Sequence, residues 1–457
     1  MSGDGKDETN SGVADKLQDP TLEKPKDEET ALELDDADKQ AVWLEWSNTT
    51  SIHGTPYILH PNFRSWKRCI WICLVLTSTS LMIWQIHTLV KDYLQFETTT
   101  SFKVVVPRSL PFPEVTVCNL NSFQLSRMIA ADISAPVNEE ELLEISQPLS
   151  EFIQLTSFNF ESLKVKEAWQ PVVTSSGLCF RFNTNQTVSR PGMEGGLAIT
   201  LKLNSTEYIN NTGLAGVQIY VAQHGTTEVG QSPFDLVIPG SFGYIGIARE
   251  VLTRETDPPW SRCSGEAPEY TQVLCRAGCL QDSIREECSC RDYGDKTDQT
   301  LDFCTNVDDC LQSLNADHDI VQDSCEDTCA LPPCFEEFYQ TQSSLLALAP
   351  RSAEAADALQ FVCPRLAPDD ISGESLSDLQ ESICLHINYQ AIRQENVTES
   401  KATTFSQLLS NIGGQMGLFM GLSMLSLVEV FGELLALRCV PRLWGDRRLY
   451  GVGSKQG

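Results

Sequence analysis

The 457-residue chain is poor in positive charge: 33 lysines and arginines stand against 62 aspartates and glutamates, a formal net charge of −29. A phosphate-binding surface needs a basic stripe, so the composition argues against nucleic acid as a partner. Histidine is scarce, six in all, and no HExxH, GxSxG or P-loop motif occurs. An ectoenzyme with a Ser–His, Cys–His or zinc site is opposed on those grounds. No hydrophobic leader opens the chain; residues 1–40 carry 13 acidic and 5 basic side chains and read as a disordered polar tail. No internal repeat is visible. Cysteine is abundant, and 14 of the 17 lie between Cys118 and Cys384, which reads as an oxidised extracellular framework.

Long apolar runs are few. The first extends from Cys69 to about Val90 without Asp, Glu, Lys or Arg, enough to cross a hydrocarbon core of ~30 Å as a helix. Arg64, Lys67 and Arg68 precede it and mark that end as cytoplasmic. The second begins near Phe405 and ends at Leu437, followed by Arg438, Arg442, Arg447 and Arg448. That end is expected to be cytoplasmic too. The organisation expected is therefore 1–68 cytoplasmic tail, 69–91 first span, 92–404 ectodomain, 405–437 second span and 438–457 cytoplasmic tail. The segment 92–404 holds 45 acidic and 19 basic residues and the sequons at Asn185, Asn204, Asn210 and Asn396. The Asn48 sequon should stay bare, being inside. Two helices cannot enclose a pore, so ion passage would require several subunits, most simply around a symmetry axis.

The second span is not a plain anchor. Five glycines lie between Gly413 and Gly432, interleaved with Ser410, Asn411, Gln415, Ser423 and Ser426. Gly413, Gly417 and Gly421 recur every four residues and share a face. Close helix packing is one explanation; a pore lining is the other, with Gly421 and Ser423 offering carbonyls or a hydroxyl to a partly dehydrated cation. Glu429 and Glu433, one turn apart, are candidates for an inner acidic ring, or Glu433 snorkels to the interface.

Five ordered motifs now carry a resemblance. His53-Gly54 precedes the first span, and Phe112 to Asn121 reads FPEVTVCNLN. Gly177 to Asn183 reads GLCFRFN. Tyr270-Thr271 precedes Cys275-x3-Cys279-x8-Cys288-x-Cys290, and Gly413-Gly414-Gln415 precedes Gly421-Leu422-Ser423. In this order the chain resembles the degenerin/epithelial sodium channel/acid-sensing ion channel superfamily, over nearly everything after residue ~40. The resemblance implies an α+β membrane protein: two transmembrane helices and a large disulfide-rich mixed α/β ectodomain with palm, β-ball, finger, thumb and knuckle, trimeric. It implies the pairs Cys118–Cys179, Cys263–Cys334, Cys275–Cys329, Cys279–Cys325, Cys288–Cys310 and Cys290–Cys304. Cys363 and Cys384 then remain for each other, and Cys69, Cys73 and Cys439 should be free.

By the same resemblance, Gly421, Leu422 and Ser423 form a selectivity filter. Ser410 takes the degenerin position, with Asn411 beside it in the outer pore, and Gly414 contacts blocker. His53 and Gly54 support a re-entrant inner loop. Trp260, in Pro258-Pro259-Trp260-x-x-Cys263, would couple thumb to pore through Phe96 or Tyr93. The 55 residues between Asn121 and Gly177 are few for a finger, and neither its small disulfide nor a polybasic cleavage site is present. The histidine pair of acid-sensing members is also missing, the matching stretch reading Phe96-Glu97-Thr98-Thr99.

The expected function is an amiloride-sensitive, sodium-selective channel subunit at the plasma membrane, in a homo- or heterotrimer with related subunits. Protons are the leading candidate stimulus, sensed by crowded carboxylates at Asp308, Asp309, Asp317, Asp319, Asp323, Glu326 and Asp327. A solvated acidic surface is the plainer explanation of that cluster. Peptide gating by an unidentified ligand, or a constitutive current inhibited by Ca²⁺, are alternatives within the family. A two-pass receptor without a pore is the alternative outside it. No cofactor is expected beyond transported Na⁺ and possible regulatory Ca²⁺; membrane lipid and amiloride-type blockers are the other contacts.

Overall fold

The structure, a computed structural model, describes residues 47, 53–59, 64–209, 214–304, 325–348 and 380–439. It divides into two compact units: residues 1–95 with 404–457, and residues 96–403.

The first unit is helical. Helix α1 (Thr55–Leu59) precedes α2 (Ser65–Tyr93), whose 29 residues span roughly 43 Å at about 1.5 Å each. Among the described residues, α2 is the one helix both long and apolar enough to cross a membrane by itself. The ring of Tyr57 stacks on Trp71 at 4.5 Å, seating α1 on α2. The second apolar run of this unit forms two helices rather than one, because Gly421 leaves the helical conformation at φ 70°.

The second unit is a β structure with short helices inserted. In chain order it comprises β1 (Thr98–Val105), β2 (Leu110–Pro111), β3 (Glu114–Asn119), α3 (Leu125–Ala131), α4 (Glu139–Ile145) and α5 (Leu149–Phe152). There follow β4 (Ile153–Phe158), β5 (Glu161–Leu163), α6 (Val165–Ala168), β6 (Trp169–Thr174), β7 (Gly177–Phe182), β8 (Thr187–Val188) and β9 (Leu197–Lys202). The rest are β10 (Val217–Ala222), β11 (Asp235–Val237), β12 (Ser241–Thr253), α7 (Gln272–Cys288), β13 (Phe335–Ala347) and β14 (Ser382–Lys401).

One sheet runs β13-β12-β14-β9-β4-β5, and a second runs β11-β10-β3-β7-β6. The 20-residue β14 organises the first. Its initial half pairs with β9 and its final half with β1, on the same edge, while β12 runs parallel to it on the other. The pairing with β12 shifts register between Ile247 and Arg249. Alternating apolar residues of both sheets meet in one core, where Phe112, Phe158, Trp169 and Phe182 pack ring against ring. The buried Trp169 indole donates to Thr156 at 2.8 Å, so its polar edge is satisfied.

Helix α7 starts at Thr271, whose hydroxyl accepts from the Leu274 amide, an N-cap. Cys275 and Cys279, one turn apart, bond to Cys329 and Cys325. Cys290–Cys304 and Cys263–Cys334 tie the two ends of this region, and Cys118–Cys179 joins β3 to β7. Cys288 and Cys384 are disulfide-bonded as well; their expected partners, Cys310 and Cys363, lie outside the described residues.

Candidate functional site

The second apolar run folds as α8 (Phe405–Met420) and α9 (Met424–Cys439). Thr404 starts α8 with a capping box, its hydroxyl accepting from the Gln407 amide while the Gln407 side chain takes the Thr404 amide. Gly421 ends it in the left-handed region at φ 70°, a conformation that strongly favours glycine. Ser423 starts α9: its hydroxyl accepts from the Ser426 amide, and the Ser426 hydroxyl accepts from the Ser423 amide, both at 3.2 Å. Gly-Leu-Ser is thus a helix stop followed by a helix start.

A helix end exposes carbonyls that need donors. At α8 they are met by other segments. The Phe419 carbonyl accepts from the Ser78 hydroxyl of α2 at 2.7 Å, and the Met420 carbonyl accepts from the His53 amide at 3.1 Å. A Cβ at Gly421 would run into the His53 ring. Gly54 turns at φ 97°, and a Cβ there would lie 2.8 Å from Val75 of α2. The His53-Gly54 pair therefore closes directly on the break at Gly421.

Ser410, Gly413, Gly414 and Gly417 lie along one face of α8 and are exposed within the chain, and nothing crowds Gly413 or Gly414. Asn411 is exposed beside them. Phe419 and Met420 meet Ser78 and Thr79 of α2. Glu429 is exposed on α9, while the side chains of Glu433 and Cys439 lie outside the described residues. Cys69 and Cys73 are free and exposed.

In the second unit, Phe96 adopts φ 52°, a position few side chains tolerate, and sets its ring edge-on to Trp260 at 5.1 Å. Trp260 carries a second contact that sequence reasoning missed. The Lys401 ammonium sits 4.7 Å above its ring and 2.7 Å from the Asp257 carboxylate. Lys401 is the last residue of β14, three before Thr404. Tyr93 closes α2.

Of the seven acids expected to sense protons, Asp308, Asp309, Asp317, Asp319 and Asp323 lie outside the described residues; Glu326 and Asp327 are exposed. A different carboxylate pair stands out. Burial pushes Asp292 up from the ordinary carboxylate range. Burial, with the charge of Asp292 added, pushes Glu228 up. No spacing rule connects a β10–β11 loop residue to one following α7. Among the described residues no group of three or more His, Cys, Asp and Glu is arranged to hold a metal ion. Asn185 and Asn204 are exposed; Asn396 sits within β14, its side-chain oxygen accepting from the Gln394 side-chain Nε2 at 2.8 Å; Asn210 is outside the described residues.

A long apolar helix, a second membrane-length run broken by a glycine–serine turn, and a disulfide-braced β unit define a membrane channel subunit. A family profile described as amiloride-sensitive sodium channel matches residues 46–152 and 131–432, and the chain belongs to that family, within the degenerin/epithelial sodium channel/acid-sensing ion channel superfamily. It is an ion channel subunit and not an enzyme. Acid-sensing ion channel 4-B of Danio rerio is 26% identical over 434 residues, covering 84% of this chain and 74% of that one. Acid-sensing ion channel 2 of Homo sapiens is 24% identical over 457 residues, 86% of each. The bile acid-sensitive ion channel of Homo sapiens is 25% identical over 449 residues, 85% of each. A solved proton-activated chloride channel covers 76% of this chain and 91% of its own at 7% identity, with a TM-score of 0.34, too loose a likeness to bear on the ion carried.

Proposed function

We propose that the chain is one subunit of a trimeric, sodium-selective, amiloride-blocked channel whose ion path passes Gly421, Leu422 and Ser423. The observation that carries this is the helix break itself. It frees backbone from helical pairing at membrane depth, which lipid does not tolerate unless the segment is buried or lines a wet path. Carbonyls and a serine hydroxyl there suit a partly dehydrated cation. The open face of Ser410, Gly413, Gly414 and Gly417 supports an outer pore, with Gly414 the blocker contact. His53 and Gly54 support the inner side of the filter, and Glu429 and Glu433 draw cations below it. Both termini are cytoplasmic, and the acidic ectodomain concentrates cations by electrostatic focusing.

Acid is the favoured stimulus, and Glu228 with Asp292 the favoured sensor. A carboxyl whose pKa is raised by its surroundings opposes the surrounding fold while ionised. The conformation that packs the pair together is therefore favoured as pH falls through the raised values, and that advantage is lost as pH rises. Lys401 and Phe96, both on Trp260, supply the coupling between the ectodomain and the pore helix.

The test is whole-cell current from the chain expressed alone, with external pH stepped from 8 to 4 and amiloride applied at each step. A Ser410→Trp channel is recorded in parallel, since bulk at that position should hold the pore open without a stimulus. An amiloride-blocked current reversing near the sodium potential is expected. Its absence from both channels, with surface protein confirmed, would refute the proposal.

A further inference from the structure

Of the 17 cysteines, those described in the ectodomain are all in disulfides, while Cys69 and Cys73 are free and exposed. These two are four residues apart in α2, immediately after the basic residues Arg64, Lys67 and Arg68. They also share an exposed face. Trp71, Val75, Ser78 and Thr79 of α2 meet other segments. At about 100° per residue, Cys69 and Cys73 lie roughly 40° from each other and about 150° round the helix from the mean of those contacts. Trp66 stands on the same outward side, one turn earlier, and is 57% exposed. An exposed tryptophan beside arginine and lysine is the usual marker of the headgroup level. Both thiols therefore project outward at the depth where acyl chains begin.

We infer that Cys69 and Cys73 are sites of S-acylation by a long-chain fatty acyl group. The step needs an acyl-coenzyme A donor, a class of thioester supplied by the cell. The cysteine sulfur attacks the acyl carbonyl and a new thioester bond forms. The bond from that carbonyl to the coenzyme A sulfur breaks, and coenzyme A leaves as the thiol, taking up the proton the cysteine loses. No oxidant or reductant is consumed. Juxtamembrane cysteines on a helix are the usual acceptors of this modification. Their placement suits one effect in particular. Helix α2 is longer than the hydrocarbon core it crosses, so its depth is not set by length alone. Two acyl chains at one level, beside a basic cluster, pin the inner end of α2 at the interface. Because α2 also holds the Phe419 carbonyl and seats α1, that depth governs how the His53 turn meets the filter.

The inference rests on the topology proposed above, in which this end of α2 faces the cytoplasm. The test uses the full chain in cultured cells. Free thiols are blocked, thioesters are cleaved with neutral hydroxylamine, and the released thiols are captured on a thiol-reactive resin. Capture of the wild type, its loss in Cys69→Ser/Cys73→Ser, and its retention in Cys439→Ser are expected. A wild type that is not captured, or a double variant captured as well as the wild type, would overturn the assignment. Should the double variant fail to accumulate, the mass of the wild-type tryptic peptide beginning at Cys69 decides. An acyl thioester on it supports the sites, and two free thiols refute them. A membrane-impermeant maleimide on intact cells keeps the two ideas apart. Labelling of the hydroxylamine-released thiols from outside would contradict the topology and leave the acylation standing.

Discussion

At the residue scale, Gly421 and Ser423 do different jobs in the same break. Gly421 must be glycine twice over, for its left-handed backbone and for the space the His53 ring occupies. Gly421→Ala should therefore abolish current while leaving the ectodomain folded, checked by patch clamp together with binding of a conformation-sensitive antibody. Ser423 caps α9, and losing a cap costs about 1 kcal/mol; Ser423→Ala should disturb the filter more gently. The break was not legible: the apolar run 405–437 reads as one span, and only the folded backbone shows Gly421 ending one helix and Ser423 starting the next. The family resemblance put His53-Gly54 on the inner side of the pore, but not the contact itself. His53 lies far from Gly421 along the chain, and only the fold brings its amide to the Met420 carbonyl. The same holds for Glu228 and Asp292, which no motif joins. Asp292→Asn should blunt any response to acid, since it removes one carboxyl of the pair and with it the charge that adds to burial in raising Glu228; an unchanged pH–current curve would place the sensor elsewhere.

At the scale of elements, β14 ties the larger sheet to the loop that carries Trp260. It pairs with β9, β12 and β1, and its last residue, Lys401, is held by Asp257 and Trp260 of the loop that follows β12. Lys401→Met keeps the length and removes the charge. It should slow or weaken channel opening, whereas Lys401→Arg, which preserves both contacts, should not; equal effects of the two would leave only a packing role. Higher in the same sheet, at the register shift, Arg249 bonds Glu337 on β13 and Gln394 on β14, bridging three strands. Removing one partner of a largely buried pair strands the other charge, so Arg249→Met should cost about 2–3 kcal/mol, read as a lower melting temperature of the purified protein. The disulfide rungs on α7 were legible through a family resemblance; cysteine spacing alone allows too many pairings. The cation–π contact at Lys401 was not legible, because a lysine at the end of a strand looks the same whether it meets solvent or an indole.

At the scale of the whole molecule, one subunit supplies one long apolar helix and one broken run, which cannot surround an aqueous path. The small-residue face of α8 must then look toward other copies or toward water. Chemical cross-linking in native membranes should give species up to three subunits and no further; a ladder ending at two would contradict the proposed symmetry. The most direct test is the reversal potential of Ser410→Trp channels under sodium–potassium exchange, with and without Ser423→Cys. The account predicts a sodium-selective reversal that shifts toward zero when Ser423 is replaced, while Gly413→Ala leaves it in place. A reversal potential indifferent to Ser423, with current and surface protein intact, would contradict the assignment of the helix break as the filter.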